Sequence, residues 1–395
     1  MISPLSLAPL LPATLLAGNT FTVDDDGPAD FPSILEAVAS GAVTDGDLLL
    51  VASGSYAGFH LDKELTLCGP ASGPRPTVDG KVRVSAAAAE LVRLQIAGLH
   101  LDTMAERATI EDCVVLGSTS QEIGMLVQYS SLVMVSRTTV SGLSPAADDG
   151  GLGILAVGSS LVLAGSTVNG GDGGAGSHDG GTAVRAIQSD LLFAGGGAIG
   201  GAAGTGGGNA GHGMHLVHSV ARARGSMFDV VLPGPPGAGN QGQSFLLQDS
   251  STLVLGPVLS SGIAQTGAPS AVVLPPVPEP FLRNAGPNGL GTGGSLDLFG
   301  PPAALAFLVI AEEEKRTPVP ELDGDLWLDA DAIFFLGFLL TNGPMFPASC
   351  PYAIPAAPIL TGRSFRCQAM FPGVPGGLDP TLASVSNAVD VIVRP

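Results

Sequence analysis

GMLVQYSSLVM (124–134), GILAVGSSLVL (153–163), AVRAIQSDLLF (183–193) and GMHLVHSVARA (213–223) align without a gap over their whole length. Their starts lie 29, 30 and 30 residues apart, and one column is serine in all four: Ser130, Ser159, Ser189 and Ser219. Period-two alternation runs on both sides of that serine, the signature of short strands with one face buried. It predicts inward columns Met125/Ile154/Val184/Met214 and Val127/Ala156/Ala186/Leu216 before a corner, then Leu132/Leu161/Leu191/Ala221 and Met134/Leu163/Phe193/Ala223 after it. One such unit is too small to bury its apolar side alone, so successive coils must stack into a solenoid. None of these four segments carries the 3.6-residue period of a helical solenoid. The serines then form a ladder whose hydroxyls bond backbone or one another. No G-x-S-x-G elbow surrounds them, so a structural role is expected.

Between the aligned segments lie SGLSPAADDGG (141–151), NGGDGGAGSHDGG (169–181) and GGAAGTGGGNAG (200–211). They recur at one place in the repeat and should emerge as a fringe on one side. Glycine permits both flexibility and close backbone approach, so the loops are either mobile spacers or turns packed on one another. Upstream, 47–69, 91–101 and 108–116 continue the strand pattern less regularly. Before them, Phe31, Ile34, Leu35 and Val38 share one helical face, with Asp30 or Ser33 as cap and Glu36 completing a Ser33 capping box. A helix there would cover the open end of the solenoid core.

The run FTVDDDGPADFPSILEAV followed by GDLLLVASGSYAGFHLDKELTLCG resembles the opening of pectate-lyase-like β-helix proteins. Gly46, Asp47, Val51, Gly54, Tyr56, Lys63, Leu65, Thr66, Leu67 and Gly69 carry the resemblance, which extends over about residues 20–260. It implies an all-β chain: a right-handed single-stranded parallel β-helix with an N-terminal capping helix. It implies no single chemistry, because the family includes lyases, hydrolases, epimerases, adhesins and structural proteins. After the repeat fades, strand-like segments return, and GRSFRCQAMFPG with SNAVDVIV is similar to a C-terminal module of secreted bacterial proteins, planctomycetes especially. The expected divisions are 1–19 (signal remnant or disordered N-terminus), 20–265 (β-helix and cap), 266–295 (Pro/Gly-rich linker or wrap) and 296–395 (small β-module).

Composition narrows the function classes. The net charge is −19, with 35 acidic against 16 basic residues, and no basic stripe offsets it, which excludes nucleic-acid binding. Glycine, at 57 residues, has no three-residue period, so collagen is excluded. Residues 1–17 are apolar and uncharged but lack a basic start. Elsewhere no stretch reaches eighteen uninterrupted apolar residues, and the strongly apolar AIFFLGFLL (332–340) is far too short to span a bilayer, so no transmembrane insertion is expected. Cys68, Cys113, Cys350 and Cys367 show no metal-ligand spacing. Cys350 and Cys367 are a candidate disulfide, while Cys68 and Cys113 are buried thiols or a bridge between coils.

Candidate sites are few. Arg185 and His215 share an outward column, and His218, Arg222 and Arg224 follow in the last coil, a set suited to a uronate, sulfate or carboxylate. Tyr129 is the outward aromatic of the aligned coils, and Trp327 is expected in the core of the terminal module. Asp24, Asp25 and Asp26, Asp148 and Asp149, and Asp172 and Asp179 are candidates for Ca²⁺, though none has EF-hand spacing. The expected function is a secreted, periplasmic or cell-surface structural or interaction protein. Its expected partners are a carbohydrate, a cell-surface protein or a second copy. The alternatives are a polysaccharide lyase or glycoside hydrolase acting on an acidic polysaccharide, and a calcium-dependent adhesin.

Overall fold

A computed structural model describes residues 18–118, 122–224 and 229–255 without a break. It also describes 5–6, 259–266, 272–274, 281–285, 288, 290–300, 303–311, 322–323, 328, 334–342, 348–357, 360–361, 364–371, 383–386 and 389–393. Trp327 and most of residues 1–17 lie outside this set. Among the described residues, parallel pairing links each coil to the next in a 9-stranded and an 18-stranded sheet, the latter taking two strands from most coils. The chain is a right-handed parallel β-helix, nearly all-β.

The first two inward columns stand as the alternation predicts: Met125, Ile154, Val184 and Met214 pair in register, as do Val127, Ala156, Ala186 and Leu216. After the corner the first coil slips by one residue. Val133 and Val135, rather than Leu132 and Met134, pair with Leu161 and Leu163 and enter the core. A one-residue slip exchanges the two faces of a strand. Leu132 and Met134 therefore point outward, into a separate buried cluster with Val162.

The serine ladder holds each corner. Ser130, Ser159 and Ser189 each donate a backbone N–H to the hydroxyl of the next coil's serine at 3.0–3.1 Å. Each hydroxyl in turn donates to the carbonyl two residues before it. Ser251 adds a rung the alignment did not reach, accepting from Ser219 N–H at 3.3 Å. Ser189→Ala removes both an acceptor and a donor at a buried corner, so urea denaturation should show a loss of about 1–3 kcal/mol. At the second corner Thr138 and Ser166 repeat the device, and Cys113, a buried thiol, accepts Leu94 N–H at 3.4 Å.

The glycine-rich loops are packed, not spaced apart. One column of backbone bonds runs through them: Gly171 N–H to Gly151 O, Gly181 to Gly171, Gly201 to Gly181, Gly211 to Gly201 and Gly234 to Gly211, all at 2.8–3.0 Å. The two arms of each loop alternate in this column. A Cβ at Gly171, Gly181, Gly201 or Gly211 would lie within 2 Å of a neighbouring carbonyl oxygen. The composition of the fringe is thus a consequence of backbone-to-backbone packing.

The capping helix spans Ile34–Ala39 with Ser33 as N-cap, its hydroxyl accepting Glu36 N–H at 3.2 Å. Ile34, Ala37 and Val38 face the core, whereas Leu35, expected there, is half exposed. Asp30 instead accepts from Thr22. Lys63 Nζ donates to Ser40 O and Val43 O just beyond the helix, and Asp47 accepts from Asn19 and Thr44. Tyr56 donates its hydroxyl to Ala52 O, and burial pushes its pKa up to about 12. The opening motif is therefore a set of ties that close the first coil.

Within the stretch expected as a linker, Val272–Leu274 still pairs with the solenoid strand Thr252–Leu255. Phe281–Asn284 pairs with Gly293–Phe299 in the terminal module. That module has two sheets around one core, including Leu298, Leu308, Phe365 and Phe371. Leu5–Ser6 adds a parallel strand beside Tyr352–Ala353. The Cys350–Cys367 bridge is not made: Cys350 is a free, buried thiol, and both residues line one small apolar cavity. The module lies against the outer face of the 18-stranded sheet. Asn288 Nδ2 donates to Glu111 Oε1 at 3.0 Å, and Arg366, almost fully buried, reaches Met134 Sδ at 2.7 Å.

Candidate functional site

The corner before the serine ladder turns through one residue per coil in the left-handed region: Thr103, Tyr129, Gly158, Gln188, His218 and Asp249, with φ between 48° and 57°. This geometry stacks their Cα atoms in a column along the corner. Only one of the six lacks a side chain. A Cβ at Gly158 would meet Tyr129 Cδ1 at 2.9 Å, so the phenol ring lies over the glycine backbone, and Tyr129 is 64% exposed.

The missing side chain opens a groove of about 600 Å³ along the corner. Tyr129, Gly158, Gln188, Asp190, His218 and Val220 line it, together with the ladder serines Ser130, Ser159 and Ser189. His218 Nδ1 shares a hydrogen bond with Ser250 Oγ at 2.9 Å, and its Nε2 lies 3.5 Å from Asp249. Tyr129 and His218, singled out separately from the sequence, thus meet in one site. Gln188 and Asp190 were not foreseen. Their signal was available, since they flank Ser189 of the ladder.

The expected basic cluster is divided by that corner. Arg185 and His215 are register neighbours in the 9-stranded sheet. Arg222 is exposed on the 18-stranded sheet, around the corner from them. Arg224 follows on that strand, its side chain outside the described set. The physical reason is the bend at Ser219, which turns residues on either side of it onto different faces.

Extending the Arg185 column upstream reveals what an alignment beginning at Gly124 missed. Its members in register are His60, Arg83, His100, Leu126, Leu155, Arg185, His215, Leu246 and Ala264. His212 joins from the loop before His215, the ring centroids 6.0 Å apart. Burial lowers the pKa of both His212 and His215, and the Arg185 charge lowers His215 further.

The acidic candidates have local uses. Asp179 N–H donates to Asp149 Oδ1, Asn209 N–H to Asp179 Oδ1, and Ala202 N–H to Asp172 Oδ1, at 2.7–2.9 Å. These carboxylates tie one glycine loop to the next. Asp148 lends its carbonyl to Gly174 N–H. Asp24, Asp25 and Asp26 bring carboxylate oxygens within 4.8 Å of one another at an exposed turn, where Asp25 already accepts Ser55 N–H.

No protein-family model and no curated protein matches the chain. Among solved structures it is similar to the full-length tailspike protein 2 of Escherichia coli O157:H7 bacteriophage CAB120, at 13% identity over 83% of this chain and a TM-score of 0.31. The chain spans 48% of that tailspike. It is also similar to a pectin methylesterase from Aspergillus niger (14% identity, 67% of this chain and 85% of that one, TM-score 0.23). A pectin methylesterase in complex with a hexasaccharide aligns at 12% identity over 73% and 86% of the two chains, with a TM-score of 0.24. The parallel register between successive coils decides the fold. It is a parallel β-helix. Within this β-helix, the corner groove and the outward column of the 9-stranded sheet lie side by side: Gln188 follows Arg185 by three residues, as His218 follows His215.

Proposed function

We propose that the chain is a carbohydrate-binding β-helix of a secreted or cell-surface protein, with its ligand seated in the corner groove. The observation that carries this reading is the exposed Tyr129 ring laid across Gly158 at the head of an open groove. An aromatic face packs against the apolar face of a pyranose and excludes water from it. Gln188, Asp190 and His218 supply the mixed donors and acceptors that sugar hydroxyls require. A rigid wall suits such a task, because side chains fixed by stacked coils lose little entropy on binding. The groove lining contains one carboxylate, Asp190, whereas glycoside hydrolysis ordinarily employs two. Binding is therefore favoured over cleavage.

The test is equilibrium titration of the full chain against a panel of neutral and acidic oligosaccharides. Tyr129→Ala should weaken the bound member by about three- to tenfold, and Tyr129→Phe should retain most of the affinity. A panel without a binder, or a Tyr129→Ala variant with unchanged affinity, would contradict the reading.

A further inference from the structure

The outward column of the 9-stranded sheet follows a diagonal rule. Each polar member bonds the residue two positions beyond its register partner in the next coil. His60 Nε2 meets Ser85 Oγ at 2.7 Å, and Arg83 meets Asp102 at 2.6 Å. His100 meets Gln128 at 2.9 Å, and His215 meets Gln248 at 3.1 Å. Arg185 breaks the rule. Its register partner is His215, and two positions on stands Val217, which offers the guanidinium no side-chain acceptor. Among the described residues Arg185 makes no ion pair, and its buried Nε has no hydrogen-bond partner. With 35 acidic against 16 basic residues a carboxylate partner would be easy to supply, yet none among the described residues is paired with Arg185.

The surroundings suit an anion. His212 Nδ1 accepts Gln243 N–H at 3.0 Å, so its Nε2 carries the proton and is a donor. His215 lies in register beside Arg185, with its ring 6.0 Å from that of His212. A guanidinium bonds a carboxylate or sulfate through two parallel N–H groups. We propose that Arg185, with His215 in register beside it and His212 next to His215, binds an anionic substituent, carboxylate or sulfate, of a glycan held in the corner groove. This rests on the groove holding a glycan, and it names that glycan's class as acidic. Arg185 leads directly to Gln188 in one coil and His215 to His218 in the next, so one chain of sugars can engage both features.

The full chain is titrated with a hexuronate oligosaccharide, the same oligosaccharide with its carboxyls reduced to alcohols, a sulfated oligosaccharide and its desulfated form. Arg185→Gln should lower affinity for a charged member by about tenfold or more and leave its neutral counterpart unchanged. Arg185→Lys, which keeps the charge and loses the fork, should fall between. Whichever charged member responds identifies the substituent. Wild-type preference for the neutral forms, or Arg185→Gln binding every member as wild type does, overturns the oxyanion site. In the latter case a weakening by Tyr129→Ala leaves the groove reading standing. Conversely, loss in Arg185→Gln with no effect of Tyr129→Ala keeps the oxyanion site and removes the groove. A panel with no binder overturns both.

Discussion

Gly181→Ala is expected to destabilise the chain by about 3 kcal/mol or more, or to prevent its folding, although the substitution adds one methyl group to a loop. The Cβ would sit 1.9 Å from Gly151 O, a backbone atom that cannot move without disturbing its own coil. Gly181 also donates to Gly171 O and accepts from Gly201 N–H, so any retreat stretches bonds on both sides. Because each loop rests on the next, strain at one glycine spreads along the column. Gly41→Ala is the control: it is exposed, without a left-handed φ, and has nothing within 4 Å of the added carbon. It should change stability by no more than about 0.5 kcal/mol. Equilibrium urea denaturation of both variants decides the matter. Equal midpoints would mean that the loops are spacers rather than packed backbone.

Arg137→Ala should cost about 3–5 kcal/mol, because it takes the Arg137 charge away from a carboxylate out of reach of water. Glu111 lies on the outer face of the 18-stranded sheet with its side chain fully buried, and it is paired with Arg137. Asn288 caps the pair from the terminal module, and Tyr352 bonds both Asn288 and Asn284. The ion pair is thus part of the seam between solenoid and module. Limited proteolysis alongside denaturation should show the terminal module cleaved sooner in Arg137→Ala than in wild type. Unchanged stability and cleavage would show that the module is not seated through Glu111. Replacing Glu111 and Arg137 together by apolar residues should recover much of the loss, since a buried ion pair adds little over well-packed hydrocarbon.

What was legible in the sequence is what repeats. Ser130, Ser159, Ser189 and Ser219 stand at a fixed spacing because each must meet the next coil's backbone, and that constraint survives in the letters. The inward columns before the corner follow for the same reason. Leu132 and Met134 were misassigned because a one-residue slip after Ser130 leaves the hydrophobic pattern intact. Their outward faces are apolar too, covered by a second layer near Arg366. The glycine fringe left two readings open, since composition alone does not distinguish a loose loop from backbone packed on backbone. In the corner groove, Tyr129 and His218 were visible as outward residues. The groove between them depends on Gly158, whose contribution is an absent side chain. The proposed Arg185 site was half visible: the charge was plain, but Val217 as its non-partner requires the register.

Hydrogen–deuterium exchange of the full chain with and without a saturating acidic oligosaccharide tests the placement of the ligand most directly. Protection should rise in peptides covering 129–131, 158–160, 188–190 and 218–220, recurring once per coil along the corner, and around 185 and 212–215 beside it. Protection confined to the terminal module or to the exposed turn at Asp24–Asp26, with the corner peptides unchanged, would contradict a glycan site on the β-helix corner.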